Sequence, residues 1–282
     1  MKTFLSLACF YNRKNKTIRS LSSIIISSKT SNKFQISPFL VDDNSSDGTS
    51  DEIKMMHDEV TIFKTSGNYF WAKSMNYGVQ KTINLDSDYY IFYNDDVEFL
   101  PNSIEKAINY VLDNDDGNSL YIFSTLDNDN NISYGGLKRK PGINKCIFQL
   151  IPPNNNEVQA DTMNMNFVIV SKKIIKKLGF FPQHFRHHAA DFYLGEKLKR
   201  NNINLVVAPG LYGVCDRNKI QKEWLEKDLS LLNRYRIFNH PKNYPFYSML
   251  RYNLYMSGFV GLYFFFLPFL KILLFHLNQK WK

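Results

Sequence analysis

The chain has 282 residues, 44% of them hydrophobic, and a formal net charge of +9, enough apolar material for one large core and too much for an intrinsically disordered chain. Three cysteines, Cys9, Cys146 and Cys215, have no paired spacing, which excludes a disulfide framework or a sequence-encoded zinc site and points to a reducing compartment. Residues 217–282 hold 11 Lys and Arg against 3 Asp and Glu, so the first 216 are near neutral; that is not the basic stripe of a nucleic-acid binder, and an anionic membrane surface is the better partner.

The first apolar run, Phe4 to Phe10, is too short for a signal-peptide core and has no small-residue cleavage site, so secretion is not expected. It reads as a buried strand, and Ile18, Leu21, Ile24 and Ile25 then recur at helical spacing. Phe34 to Val41 reads as a second strand, closed by the turn-rich Asp42-Asp-Asn-Ser-Ser-Asp-Gly48 and a short helix from Thr49 to about Met56. Val60 to Phe63 and Asp88 to Tyr93 are further strands around a helix at Ala72 to Ile83, and Pro101 opens a helix to about Leu112. Ser119 to Leu126 and Asn166 to Val170 extend the sheet, while residues 127–156 form a polar excursion. A helix from Asp191 to Arg200, a strand at Leu205 to Ala208 and a helical tail from about Lys222 complete the chain. Strands alternating with helices predict an α/β fold with a mostly parallel sheet, as one domain at 1–216 followed by a tail at 217–282.

In open α/β sheets ligands bind beyond the carboxyl ends of the strands, and three carboxylate groups fall there. Asp42 and Asp43 can accept hydrogen bonds from a nucleobase or ribose, although a surface turn is the plainer explanation of that cluster alone. Asp95 and Asp96 end an apolar, central strand and could hold Mg²⁺ or Mn²⁺; a solvated loop explains them equally well. Asp191 stands before a helix and could equally be its cap. His184, His187 and His188 lack a matching acid or Cys partner and are read as loop surface rather than metal ligands.

Taken in order, Ala8-Cys-Phe-Tyr-Asn-Arg13, Val41 to Thr49, Gly67-Asn-Tyr-Phe-Trp-Ala-Lys-Ser-Met-Asn76, Asn94-Asp-Asp-Val97 and residues 166–200 resemble glycosyltransferase family 2, the inverting transferases of GT-A fold. The Trp71 segment resembles the rhamnosyltransferase-like branch of bacterial surface polysaccharide assembly. The resemblance implies a single Rossmann-like domain with a mixed central sheet, a nucleotide-sugar donor, a divalent cation (Mn²⁺ or Mg²⁺) and a glycan or lipid-linked acceptor. It places the donor against Asp42, Asp43, Asp95, Trp71 and Asn76, the metal at Asp96 and the catalytic base at Asp191. Two departures accompany it: Ala190 stands where many relatives have Glu before the base, and Tyr212-Gly-Val-Cys-Asp-Arg217 replaces a segment that often carries His, leaving Cys215 or Asp216 as its substitute.

In the tail, Asn253 to Leu270 lack charge until Lys271 intervenes. With Pro268 inside it, this reads as a segment lying in a membrane interface rather than spanning, with Arg234, Arg236, Lys242, Arg251, Lys280 and Lys282 facing headgroups and the enzyme peripheral on the cytoplasmic face of the cell membrane. Two rivals stay open. A nucleotidyltransferase would want a glycine-rich phosphate loop, and Tyr11 to Lys16 contains no glycine; the other rival is an inactive sugar- or lipid-binding scaffold of the same fold.

Overall fold

The computed structural model describes residues 1–217 and 222–280, without the side chains of Gln279 and Lys280. In chain order the elements are β1 (Lys2–Phe10), α1 (Lys14–Thr30), β2 (Phe34–Asp42), α2 (Thr49–Met56), β3 (Thr61–Lys64), α3 (Phe70–Thr82), β4 (Tyr89–Tyr93), β5 (Glu98–Phe99), α4 (Ser103–Asn114) and β6 (Ser119–Leu126). There follow β7 (Ile132–Tyr134), β8 (Gly136–Arg139), β9 (Phe148–Leu150), β10 (Val158–Gln159), β11 (Thr162–Met163), β12 (Phe167–Ser171), α5 (Lys172–Leu178), α6 (Ala190–Arg200) and β13 (Asn204–Val214). The chain then forms α7 (Leu231–Phe238), α8 (Phe246–Ser257) and α9 (Val260–Lys280).

The main sheet runs β10-β13-β6-β12-β4-β1-β2-β3. β3, β2, β1 and β4 are parallel, β12 is antiparallel to both β4 and β6, and β13 is parallel to β6. This is the expected α/β architecture with a mostly parallel mixed sheet. Its strands read as unbroken apolar runs because helices cover both faces, and one layer of side chains, including Leu7, Val41, Phe92 and Val168, packs as a single buried cluster.

The excursion is more ordered than its composition suggests. Its β8 pairs with β9, and with β11 just beyond it, as a separate small sheet, held to α6 by Arg139, which ion-pairs with the buried Glu196 and lies over Phe148. Phe148 stacks on Phe192 at 5.6 Å and Thr162 donates to the Phe192 carbonyl at 3.2 Å, so the excursion rests beside Asp191.

The tail differs from its sequence reading in two respects. The uncharged run is not one helix: Gly258, at φ 59°, turns the chain between α8 and α9, and Gly261 brings the helices so close that a Cβ there would lie 2.1 Å from the Asn253 carbonyl oxygen. Arg234 does not face headgroups, because it is fully buried, donates to the Trp224 carbonyl at 2.8 Å and lies over the Phe275 ring. Arg236, Lys242, Arg251 and Lys271 are exposed; Lys282 and the Lys280 side chain lie outside the described residues. Met249, Tyr252, Met256 and Phe265 join the same buried cluster as the central strands, so the tail is packed onto the α/β body.

Gly78 shows how tightly α3 sits on the sheet. A Cβ there would lie 2.7 and 2.9 Å from the two Leu7 methyls and 2.9 Å from Val41, and both neighbours are fully buried. Overpacking of this kind costs about 1–3 kcal/mol, and three crowded atoms with no room to move belong at the upper end, above the ~1 kcal/mol that removing a helical glycine gains. Gly78→Ala should therefore lower stability in urea titration; an equal or higher midpoint would show that Leu7 and Val41 repack freely.

Candidate active site

Strand register decides which loops meet. Phe10 pairs with Asp42, Phe167 with Tyr93 and Val214 with Leu126. The chain beyond β1, β2, β4 and β13 and the chain entering β12 therefore share one edge of the sheet. Asp42, Asp43, Asp95, Asp96, Asn166 and Cys215 all fall on it.

The side chains of Asp95 and Asp96 are only 8% and 7% exposed. Each of their four oxygens has a donor. Arg13 Nη1 bridges the pair at 3.2 Å from Asp95 Oδ1 and 2.8 Å from Asp96 Oδ2, Thr17 Oγ1 donates to Asp95 Oδ2 at 3.2 Å, and Cys215 Sγ lies 3.5 Å from Asp96 Oδ1. Burial, only partly offset by Arg13, pushes the Asp95 carboxyl up to about 6.

Cys215 occupies the place beside Asp96 where the family resemblance sets a His. Asp216 turns away, accepting from the Asn128 amide at 2.9 Å and its side chain at 2.5 Å. Burial and the neighbouring Asp96 hold the Cys215 thiol far above its ordinary value, so it stays neutral and acts as a donor, not as a thiolate ligand.

Asp191 joins this group through the segment before β12. Asn166 accepts from the Asn94 amide at 2.9 Å and donates to Cys215 Sγ at 3.4 Å, and the Asn164 side chain, two residues earlier, favours the charged form of the Asp191 carboxyl. Asp191 is not a helix cap: Ala189, at φ 63°, holds that position, and Asp191 lies in the first turn with Oδ1 2.9 Å from the Phe192 amide. Burial raises its carboxyl to about 6, within the range of a base working near neutral pH.

Asp42 and Asp43 are buried and hydrogen-bonded to the protein. Asp42 accepts from the Ser45 amide at 2.7 Å and Ser50 Oγ at 2.5 Å, which closes the turn. Asp43 accepts from Thr65 Oγ1 at 2.6 Å, the Tyr69 amide at 3.0 Å and the Phe70 amide at 2.8 Å. These bonds hold Phe70 at φ 59°, a region that costs a bulky side chain on the order of 1–3 kcal/mol. The strained turn delivers Trp71, whose ring meets Phe181 at 5.2 Å and His187 at 6.5 Å and whose carbonyl accepts from Cys9 Sγ at 3.7 Å. Trp71 Nε1 and His187 Nδ1 are buried without a hydrogen-bond partner, and such groups suit the oxygens of a polar ligand. Burial keeps His187 and His188 neutral, at about 3 and about 4; with His184 they lie half-buried in the loop before α6. Asn76, one turn and more along α3, lines a groove with Gln80, Ile83, Ile175 and Phe181.

The donor set fits a hard divalent ion: two carboxylates and no thiolate or free imidazole, in the manner of sites that complete their coordination with substrate phosphates and water. Among the described residues no group of three or more His, Cys, Asp or Glu forms a cage. Arg13, which the sequence reading leaves without a role, is the functional residue that sequence reasoning missed.

Among solved structures the fold resembles GalNAc-T7 with UDP, GalNAc and Mn²⁺ at TM-score 0.61 and 14% identity, covering 90% of this chain and 51% of that one. It also resembles S. aureus TarS 1–349 in complex with UDP (TM-score 0.56, 14% identity, 84% and 69% covered). The mannosyltransferase PcManGT from Pyrobaculum calidifontis with GDP-Man and Mn²⁺ gives TM-score 0.55 at 13% identity, with 98% and 73% covered. At these identities the likeness establishes the GT-A fold, and the chain spans about half the length of GalNAc-T7. No curated protein sequence matches it. Residues 7–178 match the profile of Glycosyl transferase family 2, and the chain belongs to that family.

Proposed function

We propose that this glycosyltransferase inverts configuration as it moves a sugar from a nucleotide-diphosphate sugar to an acceptor hydroxyl, in a rhamnosyltransferase-like branch serving surface polysaccharide or glycolipid assembly. The observation that carries the reading is an anionic pair at the sheet edge, where Cys215 links Asp96 to Asn166, together with a separate carboxylate of raised affinity for protons, Asp191, in the first turn of α6. Asp95 and Asp96 would hold a divalent cation, which when bound neutralises charge on the departing diphosphate. Asp43, with Asp42 behind it, shapes the donor side by fixing the turn that presents Trp71, and Asn76 extends that side. Asp191 accepts the acceptor's proton as its oxygen attacks the anomeric carbon opposite the leaving group. Residues 1–216 are taken as the transferase domain and 217–282 as its tail.

The tail supports a peripheral position on the cytoplasmic membrane face. Leu262, Phe266, Leu270, Leu274 and Leu277 are exposed along one stripe of α9, with Phe259 90% exposed at its start. Val260–Asn278 has mean hydropathy 2.0 and is long enough to span, with 17% of it buried. Its other flank, with Phe265 and Phe269, packs on Phe246 and Tyr244, which favours lying in the interface with Arg251 and Lys271 towards anionic headgroups.

A hydrolysis screen against UDP-, GDP- and dTDP-sugars, with and without Mn²⁺, identifies the donor. With that donor, Asp191→Asn should reduce turnover at least ~100-fold while calorimetric donor affinity is kept. Because the folded carboxyl binds its proton up to about pH 6, wild-type turnover should fall as pH drops through that value, and the same raised affinity means folding stability declines as pH rises through it. Unchanged turnover in Asp191→Asn would remove this residue from the chemistry.

For the tail, wild-type protein should sediment with phosphatidylglycerol vesicles and the triple variant L262E/F266E/L270E should stay in the supernatant. Equal sedimentation of the two would sink the membrane assignment of α9.

A further inference from the structure

Arg13 stands in a position that the proposed function does not use. Its Nη1 bridges the one oxygen of Asp95 and the one of Asp96 that no neutral group covers; Thr17 and Cys215 hold the other two. Among the described residues it is the only cation within ion-pair distance of either acid. Removing it without replacement would leave two adjacent, largely enclosed carboxylates with no counter-charge, which is costly until a proton or another cation takes its place. The guanidinium therefore already fills the electrostatic role that a metal would take.

We propose that Arg13 is the site's resident counter-cation, that Arg13 and a divalent cation exclude one another at Asp95 and Asp96, and that the displaced guanidinium then binds the diphosphate of the donor. The inference rests on the assignment of these two acids to the cation. Arg13 comes from the N-cap position of α1 with its side chain 37% exposed, so it can turn outward without opening the core. A planar guanidinium is suited to paired phosphate oxygens as well as to carboxylates.

Exchange of partners makes metal and nucleotide depend on each other. A cation arriving alone must expel Arg13 into water, where the guanidinium has no anion. A cation arriving with a nucleoside diphosphate brings the anion that receives Arg13, and the charge balance of the cleft is kept at every stage. Binding of either ligand then strengthens binding of the other by the same factor, as linkage requires.

The test measures Mn²⁺ binding to the purified full-length protein by electron paramagnetic resonance of free Mn²⁺, with and without UDP or GDP and corrected for Mn²⁺ held by nucleotide in solution. Wild-type protein should bind Mn²⁺ weakly alone and on the order of tenfold or more tightly with the matching nucleotide. Arg13→Gln should bind Mn²⁺ alone more tightly than wild type by a similar factor and lose most of the nucleotide's enhancement. Arg13→Lys, which keeps the positive charge, should stay close to wild type without nucleotide, and thermal melting of each variant checks that it is folded. Equal Mn²⁺ affinity of wild type and Arg13→Gln without nucleotide would overturn the role of Arg13 and leave the cation site standing. Failure of every variant to bind Mn²⁺, with or without nucleotide, would overturn both.

Discussion

The structure is governed by how much negative charge it gathers at one edge of its sheet with little positive charge to balance it. Asp42, Asp43 and Asp95 are buried there, and Asp96 and Asp191 stand beside them. A buried carboxylate is expensive unless hydrogen-bonded or paired, and the chain meets that cost in two ways. Asp42 and Asp43 are satisfied by backbone amides and hydroxyls of their own turns, so they define shape. Asp95 and Asp96 share the single guanidinium of Arg13, with Thr17 and Cys215 covering their other oxygens, and Asp191 has a few local bonds that leave its proton affinity raised. The first pair builds the cleft, and the remaining three groups keep chemical freedom.

Backbone strain collects in the same region. Gly67, Asn68 and Phe70 lie at φ 85°, 62° and 59°, and Ala189 at 63°. The two strained segments touch: the Arg186 carbonyl accepts from the Ala72 amide at 2.8 Å, and the Arg186 guanidinium lies 4.7 Å from the Phe70 ring centre. Strain of this kind persists only where surrounding contacts over-determine it. Here the Asp43 bonds hold one turn and the start of α6 holds the other, so the loop bearing Trp71 and the turn preceding Asp191 are fixed relative to each other.

Central strands were legible in the sequence because burial on both faces gives continuous apolar runs, as in Tyr89 to Tyr93. The acids after those strands were legible as places, though not as a group: only register, Phe10 beside Asp42 and Phe167 beside Tyr93, brings them to one edge. The small sheet within residues 127–163 was illegible because its strands are two to four residues long and held by Arg139 and Glu196, a pairing with no local signature. Arg13 was hidden for a related reason, since a lone arginine in a polar turn carries no sign of the two acids it meets 82 and 83 positions later. In the tail, hydropathy reported the apolar run correctly but was blind to the bend at Gly258, which depends on backbone conformation and not on polarity.

The attachment of that tail fixes where its exposed apolar stripe lies relative to the cleft. α8 is fastened to the body by Ser248 donating to the His184 carbonyl at 2.7 Å, by Arg200 donating to the Tyr255 carbonyl at 2.7 Å and by Tyr193 stacked on Tyr255 at 4.3 Å. Tyr193 and Arg200 both belong to α6, the helix that carries Asp191. α9 in turn packs on α8 through Phe246, Phe265 and the close approach at Gly261. A flexible tether would leave the cleft at a variable height above whatever surface the stripe contacts. This linkage instead sets the exposed stripe at a fixed distance from Asp191, so that any surface meeting α9 also sets the depth and angle of the sheet edge relative to it.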